Sequence, residues 1–188
     1  MGVPLLETHG LEVFIAIALF HWVFLAADYG LGWIANISSK QKKAWAINVV
    51  SMIHAIYAIR VNFIYYHRLA HDPVFGYDEI IASALAVSLG YFIWDAYISI
   101  LYSGIGFAIH GVACAGVFLL AYRPFLMHFG VLFLGYELST PFLNVHHLLV
   151  IRFYALFMLI YVGQASSMEG WKDSCFEYVC TYRHVFLC

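Results

Sequence analysis

Seven ionisable side chains fall inside stretches of this 188-residue chain that are otherwise apolar: His21, Asp28, His54, Asp95, His110, His128 and Glu137. Imidazoles and carboxylates are the groups that general acid–base chemistry uses. The densest polar run is "GYELSTPFLNVHH", Gly135 to His147. Pro141 removes one backbone donor and crowds the preceding turn, so a helix here should kink. The freed carbonyls then need donors, and Ser139, Thr140 and Asn144 can supply them. The run reads as a pocket wall made of Glu137 and a kink. The plainer reading is a structural kink held by Ser and Thr.

The elements that position these groups follow from composition. Hydrophobic residues make up 64% of the chain and charged residues 11%. Soluble domains carry ~25% charged residues, so this chain cannot cover a water-facing surface and reads as a multi-span membrane protein. The net charge of −2, with basic clustering limited to Lys40, Lys42 and Lys43, speaks against a nucleic-acid partner. Glu7 and Glu12 flank the start of the first apolar run with no Lys or Arg before it. A cleavable signal wants a basic start, so the run is expected to be a retained anchor. No C-x-x-C pair occurs, and no metal site is expected.

The apolar windows predict an all-α bundle of about six transmembrane helices. They are Leu11–Ile34, Ala46–Tyr66, Ile80–Leu101, Gly106–Tyr122, Phe125–Val145 and Leu148–Gln164. Residues 1–10 precede the bundle, 11–165 form it, and 166–188 read as a polar tail. The Lys-rich first loop and Arg152 lie on one side, Arg68 and Arg123 on the other. By the positive-inside rule the Lys-rich loop is cytosolic and the N-terminus external or lumenal. At 1.5 Å per residue, His54 lies ~12 Å in from the cytosolic end of its helix, Asp95 ~9 Å, His110 ~6 Å and Glu137 ~12–15 Å. These similar depths predict a shared cavity in the cytosolic half, lined by His54, Asp95, His110, Glu137, Ser139 and Asn144. A lone intramembrane His is often a structural partner between helices instead.

The segments "KKAWAINVVSMIHAIYA", "GYFIWDAYI", "FAIHGVACAG" and "YELSTPFLN" occur in this order. Together they resemble the TLC-domain family, which includes ceramide synthases and the translocating-chain-associating membrane protein. The likeness is greatest to the small TLC-domain-containing membrane proteins, through Trp45 to His54, through Gly90, Tyr91 and Asp95, and through Glu137 to Asn144. It covers about residues 11–147. Two features depart from the family pattern. Its fourth helix usually carries two adjacent histidines tied to acyl transfer, whereas here His110 is followed by Gly111. The end of the chain also departs, and implies a domain shortened at its C-terminal side.

Three functions compete. The first is lipid handling or membrane lipid homeostasis, with an acyl chain or lipid bound in the bundle, membrane lipids as partners and no cofactor. The second is acyl-CoA-dependent N-acyl transfer of the ceramide synthase type, with His110 as base and Asp95 or Glu137 orienting it. The third is an adaptor for cargo or translocation. The missing second histidine favours the first over the second. The resemblance implies an integral membrane protein of the endoplasmic reticulum, with the plasma membrane as the alternative. Glycosylation-acceptor tags placed in each loop should report the topology. A tag beside Lys42 is expected to stay unmodified, as is the natural "NIS" at Asn36, and modification beside Lys42 would reverse the orientation.

Overall fold

The structure, a computed structural model, describes residues 5–34, 38–121, 125–146 and 149. One compact unit runs to Asn144, and residues 145–188 form a second unit. In that second unit residues 145, 146 and 149 are described, all helical. Apart from residue 149, the expected sixth span and the tail lie outside the described residues.

All regular elements among the described residues are helical: α1 (Leu5–Ile34), α2 (Ser39–Tyr65), α3 (Glu79–Tyr102), α4 (Ile105–Ala121) and α5 (Met127–Leu134). A 3-10 turn, Gly135–Leu138, follows α5, and residues 139–146 are again helical. Among the described residues, three helices are long and apolar enough to cross a membrane: Thr8–Trp33 within α1, then α2 and α3. Apolar α4 is shorter, at 17 residues against the ~20 a span needs. The expected fifth span is helical but interrupted by the 3-10 turn. Helices α1 and α2 begin six and seven residues before the apolar windows do. The early start of α2 has a local cause. Ser38 and Gln41 form a reciprocal capping box, with the Gln41 N–H donating to Ser38 Oγ at 3.3 Å and the Ser38 N–H to Gln41 Oε1 at 3.2 Å.

Helix α3 is the centre of the first unit. In its apolar window 67% of the residues are buried, against 22% for α1 and 33% for α2. Small residues let its neighbours approach. A Cβ on Gly90 would lie 2.6 Å from Ala16 Cβ and 2.8 Å from the Val13 carbonyl oxygen, so α1 crosses α3 there at near-backbone distance. A Cβ on Gly111 would lie 2.8 Å from the Ala96 nitrogen, so α4 does the same on α3. Hydrocarbon offers no hydrophobic drive between helices, which makes such close packing the main source of cohesion. Val13, Ala16, Phe20 and Phe24 form the buried stripe of α1, while Phe14, Leu19, Trp22 and Trp33 stay exposed on it. An exposed apolar face of this kind suits lipid.

The connections fix the helix ends. Lys43 Nζ meets Asp28 Oδ2 at 3.4 Å and lies 4.9 Å from the centroid of the Tyr102 ring, which ties α1, α2 and α3 together. Asp28 is therefore a structural ion-pair partner near the end of α1. Asp78 caps α3 by accepting from the Ile80 and Ile81 N–H groups, and its other oxygen pairs with Arg68 at 3.1 Å. Gly104 takes φ 115° and returns its N–H to the Ser99 carbonyl at 2.8 Å, so α3 reverses into α4 within two residues.

The Gly90 crossing gives a direct test. Gly90→Ala should destabilise the protein by about 1–3 kcal/mol through overpacking. Adding Ala16→Gly should recover part of that loss in a detergent thermal-unfolding series. Equal stability of wild type and Gly90→Ala would show that α1 and α3 do not cross there.

Candidate functional site

The site is built around the interruption in the fifth helical stretch. At Gly135 the backbone N–H turns to the Leu132 and Phe133 carbonyls, which leaves the Val131 carbonyl without its helical donor. Asn62 of α2 supplies the replacement, its Nδ2 donating to that carbonyl at 2.8 Å. Gly135 provides the room, since a Cβ there would meet Asn62 Nδ2 at 3.3 Å. The 3-10 turn then carries Glu137. Ser139 Oγ donates to the Tyr136 carbonyl at 3.0 Å, alongside the Ser139 backbone N–H. Thr140 Oγ1 instead donates to Glu137 Oε2 at 2.7 Å and orients the carboxylate. The change of helix type comes in the turn before Pro141, which cannot donate to the Glu137 carbonyl.

Helix α3 carries Asp95 within electrostatic range of this carboxylate, and both carboxylates lie within that range of Tyr91 and Cys114. Asp95, Glu137, Thr140 and Cys114 are half-buried, so the cluster is open on one side. Tyr91 is buried, and the Ser51 side chain of α2 hydrogen-bonds to it. Asn144 closes the far side, with Nδ2 donating to the Asn48 carbonyl and to Ser51 Oγ, both at 3.4 Å. The result is a polar floor drawn from α2, α3, α4 and the fifth stretch. It holds two carboxylates, a phenol, a thiol, hydroxyls and an amide, a set able to both accept and donate hydrogen bonds.

The predicted residues are placed as follows. Asp95, Glu137 and Asn144 belong to the floor. Ser139 is exposed and serves its own backbone. His54 is fully buried beneath Tyr91, its ring stacked on the phenol at 3.7 Å between centroids. Phe20 and Phe92 present their edges to the same imidazole, and neither ring nitrogen meets a hydrogen-bonding atom among the described residues. His110 is exposed and faces Cys114, with Nε2 3.6 Å from Sγ. It is thus one helical turn from the floor. Gly111 lies against the α3 backbone, where a histidine side chain would have no room. His147 lies outside the described residues.

Sequence reasoning passed over Ser51, Cys114 and Asn48 as site residues. Spacing carried the signal: Asn48, Ser51 and His54 recur every three residues, while Tyr91/Asp95 and His110/Cys114 are i,i+4 pairs.

Comparison with known proteins fits this arrangement. The TLC domain model of the TRAM, LAG1 and CLN8 group matches residues 44–162. The chain belongs to the TLC-domain family. An uncharacterized TLC domain-containing protein of Schizosaccharomyces pombe is 39% identical over 120 residues, which are 61% of this chain and 41% of that protein. A Saccharomyces cerevisiae protein of the same description is 35% identical over 78 residues, 42% of this chain and 25% of that one. Topoisomerase I damage affected protein 4 of S. cerevisiae is 35% identical over 104 residues, 53% and 37% respectively. The chain thus spans between a quarter and about two-fifths of the length of these curated relatives. No solved structure matches. Helix α1 lies before the matched region.

Cysteine cross-linking tests the meeting of α3 with the fifth stretch. With Cys114 replaced by Ser, cysteines at positions 95 and 137 should be joined by a short bifunctional reagent. Failure to join them, while each single cysteine reacts, would place the two carboxylates on different faces.

Proposed function

We propose that this protein holds a membrane lipid at the Asp95–Glu137 floor and serves lipid homeostasis without transferring an acyl group. The observation that carries the reading is the half-buried carboxylate pair kept within apolar helices. An ionisable group at the bilayer centre costs ~2.5–3.5 kcal/mol on insertion scales, and two together are retained where they have work to do. Membrane lipids are the partners this reading requires, and it needs no cofactor. It carries with it a six-span topology and residence in the endoplasmic reticulum.

Acyl transfer is disfavoured by position 111. In the family that chemistry is tied to two neighbouring histidines. Gly111 offers no base and seats α4 directly on α3 at Ala96. A second reading keeps some support from His110 and Cys114, which face each other, Cys114 lying within electrostatic range of both carboxylates. In that case the chain would take acyl-CoA, with His110 as base.

The two readings separate in one assay. Purified protein in nanodiscs is given a sphingoid base and acyl-CoAs of several chain lengths. Loss of a positioned acid–base group costs ~10²–10⁴ in rate, so product should stay at background. Product well above background, abolished by His110→Ala, would establish the acyltransferase reading. In the same nanodiscs a photoreactive lipid should label peptides bearing Asp95 or Glu137. Absence of such labelling would overturn the lipid-holding reading.

A further inference from the structure

A second polar cluster stands apart from that floor, at the N-terminal ends of α1 and α3. His9 is 2% exposed, with Nδ1 3.1 Å from Glu12 Oε2 and Nε2 3.4 Å from Glu79 Oε1. Tyr77 Oη donates to Glu79 at 2.6 Å and lies 3.4 Å from His9 Nε2. Partial burial and that hydrogen bond push the Tyr77 phenol up to about 12, so it stays a proton donor at neutral pH. Ser83 Oγ donates to the remaining Glu12 oxygen at 3.2 Å. Glu12 is nevertheless 40% exposed. Its exposed side opens into a groove of about 470 Å³ between α1, α2 and α3. This is within the ~300–1,000 Å³ range of small-molecule sites.

The groove is apolar except at this end. Leu19, Val61 and Val87 are among its aliphatic walls, Tyr57 and Tyr65 give it aromatic ones, and among the described residues Glu12 is the one formally charged side chain lining it. A carboxylate has about four lone-pair sites. Ser83 and His9 engage one oxygen each, which leaves acceptor capacity facing the groove. Burying unused acceptors against lipid chains is costly. Helix α1 is 30 residues long, or ~45 Å, against a hydrocarbon core of ~30 Å. Glu12, early in α1, therefore falls near the headgroup boundary, where a lipid's polar end sits and its apolar body points inward.

We infer that this groove binds an uncharged membrane amphiphile with a hydroxyl headgroup and one apolar body, of the sterol type, its hydroxyl donating to Glu12. Among the described residues, an anionic headgroup finds no Lys or Arg in the lining. A cationic one is not called for, because the His9 imidazole and the Ser83 hydroxyl already occupy one Glu12 oxygen each. The site uses α1, outside the family-matched residues, and is independent of the Asp95–Glu137 floor.

The test uses the full chain in nanodiscs with three photoreactive, clickable probes: a sterol, a long-chain primary amine and a fatty acid. Sterol labelling should be saturable, should be displaced by unlabelled sterol, and should map to peptides of α1 and α3. Glu12→Ala should lower it about tenfold, the usual effect of losing a hydrogen bond to a charged group. Leu19→Trp, which fills the groove from an exposed face and spares the core, should lower it by a similar factor. Phe14→Trp, a like change on α1 outside the groove, should leave it unaltered. Non-saturable sterol labelling, labelling indifferent to both groove variants, or stronger saturable labelling by the amine or the fatty acid would each overturn the assignment.

Discussion

Close contact between helix backbones at Gly90 and Gly111 sets the position of every group that α3 carries. Between helices in lipid there is no water to expel, so cohesion comes from van der Waals contact and from hydrogen bonds across the interface. At Gly90 the α1 backbone comes within reach of a single missing Cβ, and at Gly111 the α4 backbone does the same. With α3 held from two directions, its face bearing Tyr91 and Asp95 turns to α2 and the fifth stretch. The aromatic stack of His54 on Tyr91 then fills the space beneath the floor.

The second constraint is that polar backbone groups in hydrocarbon need partners. The fifth stretch meets it by exchange and not by regular helix. Asn62 takes the Val131 carbonyl, and the 3-10 turn that follows places Glu137 within electrostatic range of Asp95. Thr140 is thereby free to hold the carboxylate, and Asn144 to reach across to α2. The 3-10 interruption is thus a local answer to Pro141 that also sets where Glu137 stands.

Much of this was legible in the sequence, for identifiable reasons. Helix α3 runs Glu79–Tyr102 against an expected Ile80–Leu101, because apolar runs bounded by Asp78 and Ser103–Gly104 leave little choice. Depth alone set Asp95 and Glu137 at similar heights, and their charges lie within electrostatic range of each other. Depth gives height along a helix but not the direction a side chain takes around it, and at 3.6 residues per turn each step rotates by about 100°. That is why His110, at a suitable height, is exposed one turn from the floor. The early start of α2 was written in Ser38 and Gln41, but the Lys-rich composition masked it. The interruption at Gly135 could not be read, because its cause, Asn62, is distant in sequence and belongs to another helix.

Gly111 shows most clearly how fold and chemistry are tied in this chain. Read as a sequence position it is a missing histidine. Read in the structure it is the contact that brings α4 onto Ala96, next in the chain to Asp95. A second imidazole there would have to push α4 away from α3, and Cys114, one turn along, would move with it. The same glycine that removes a catalytic group therefore fixes the distance between the carboxylates and α4. The close packing of α4 on α3 thus occupies the place where a second histidine would have to stand.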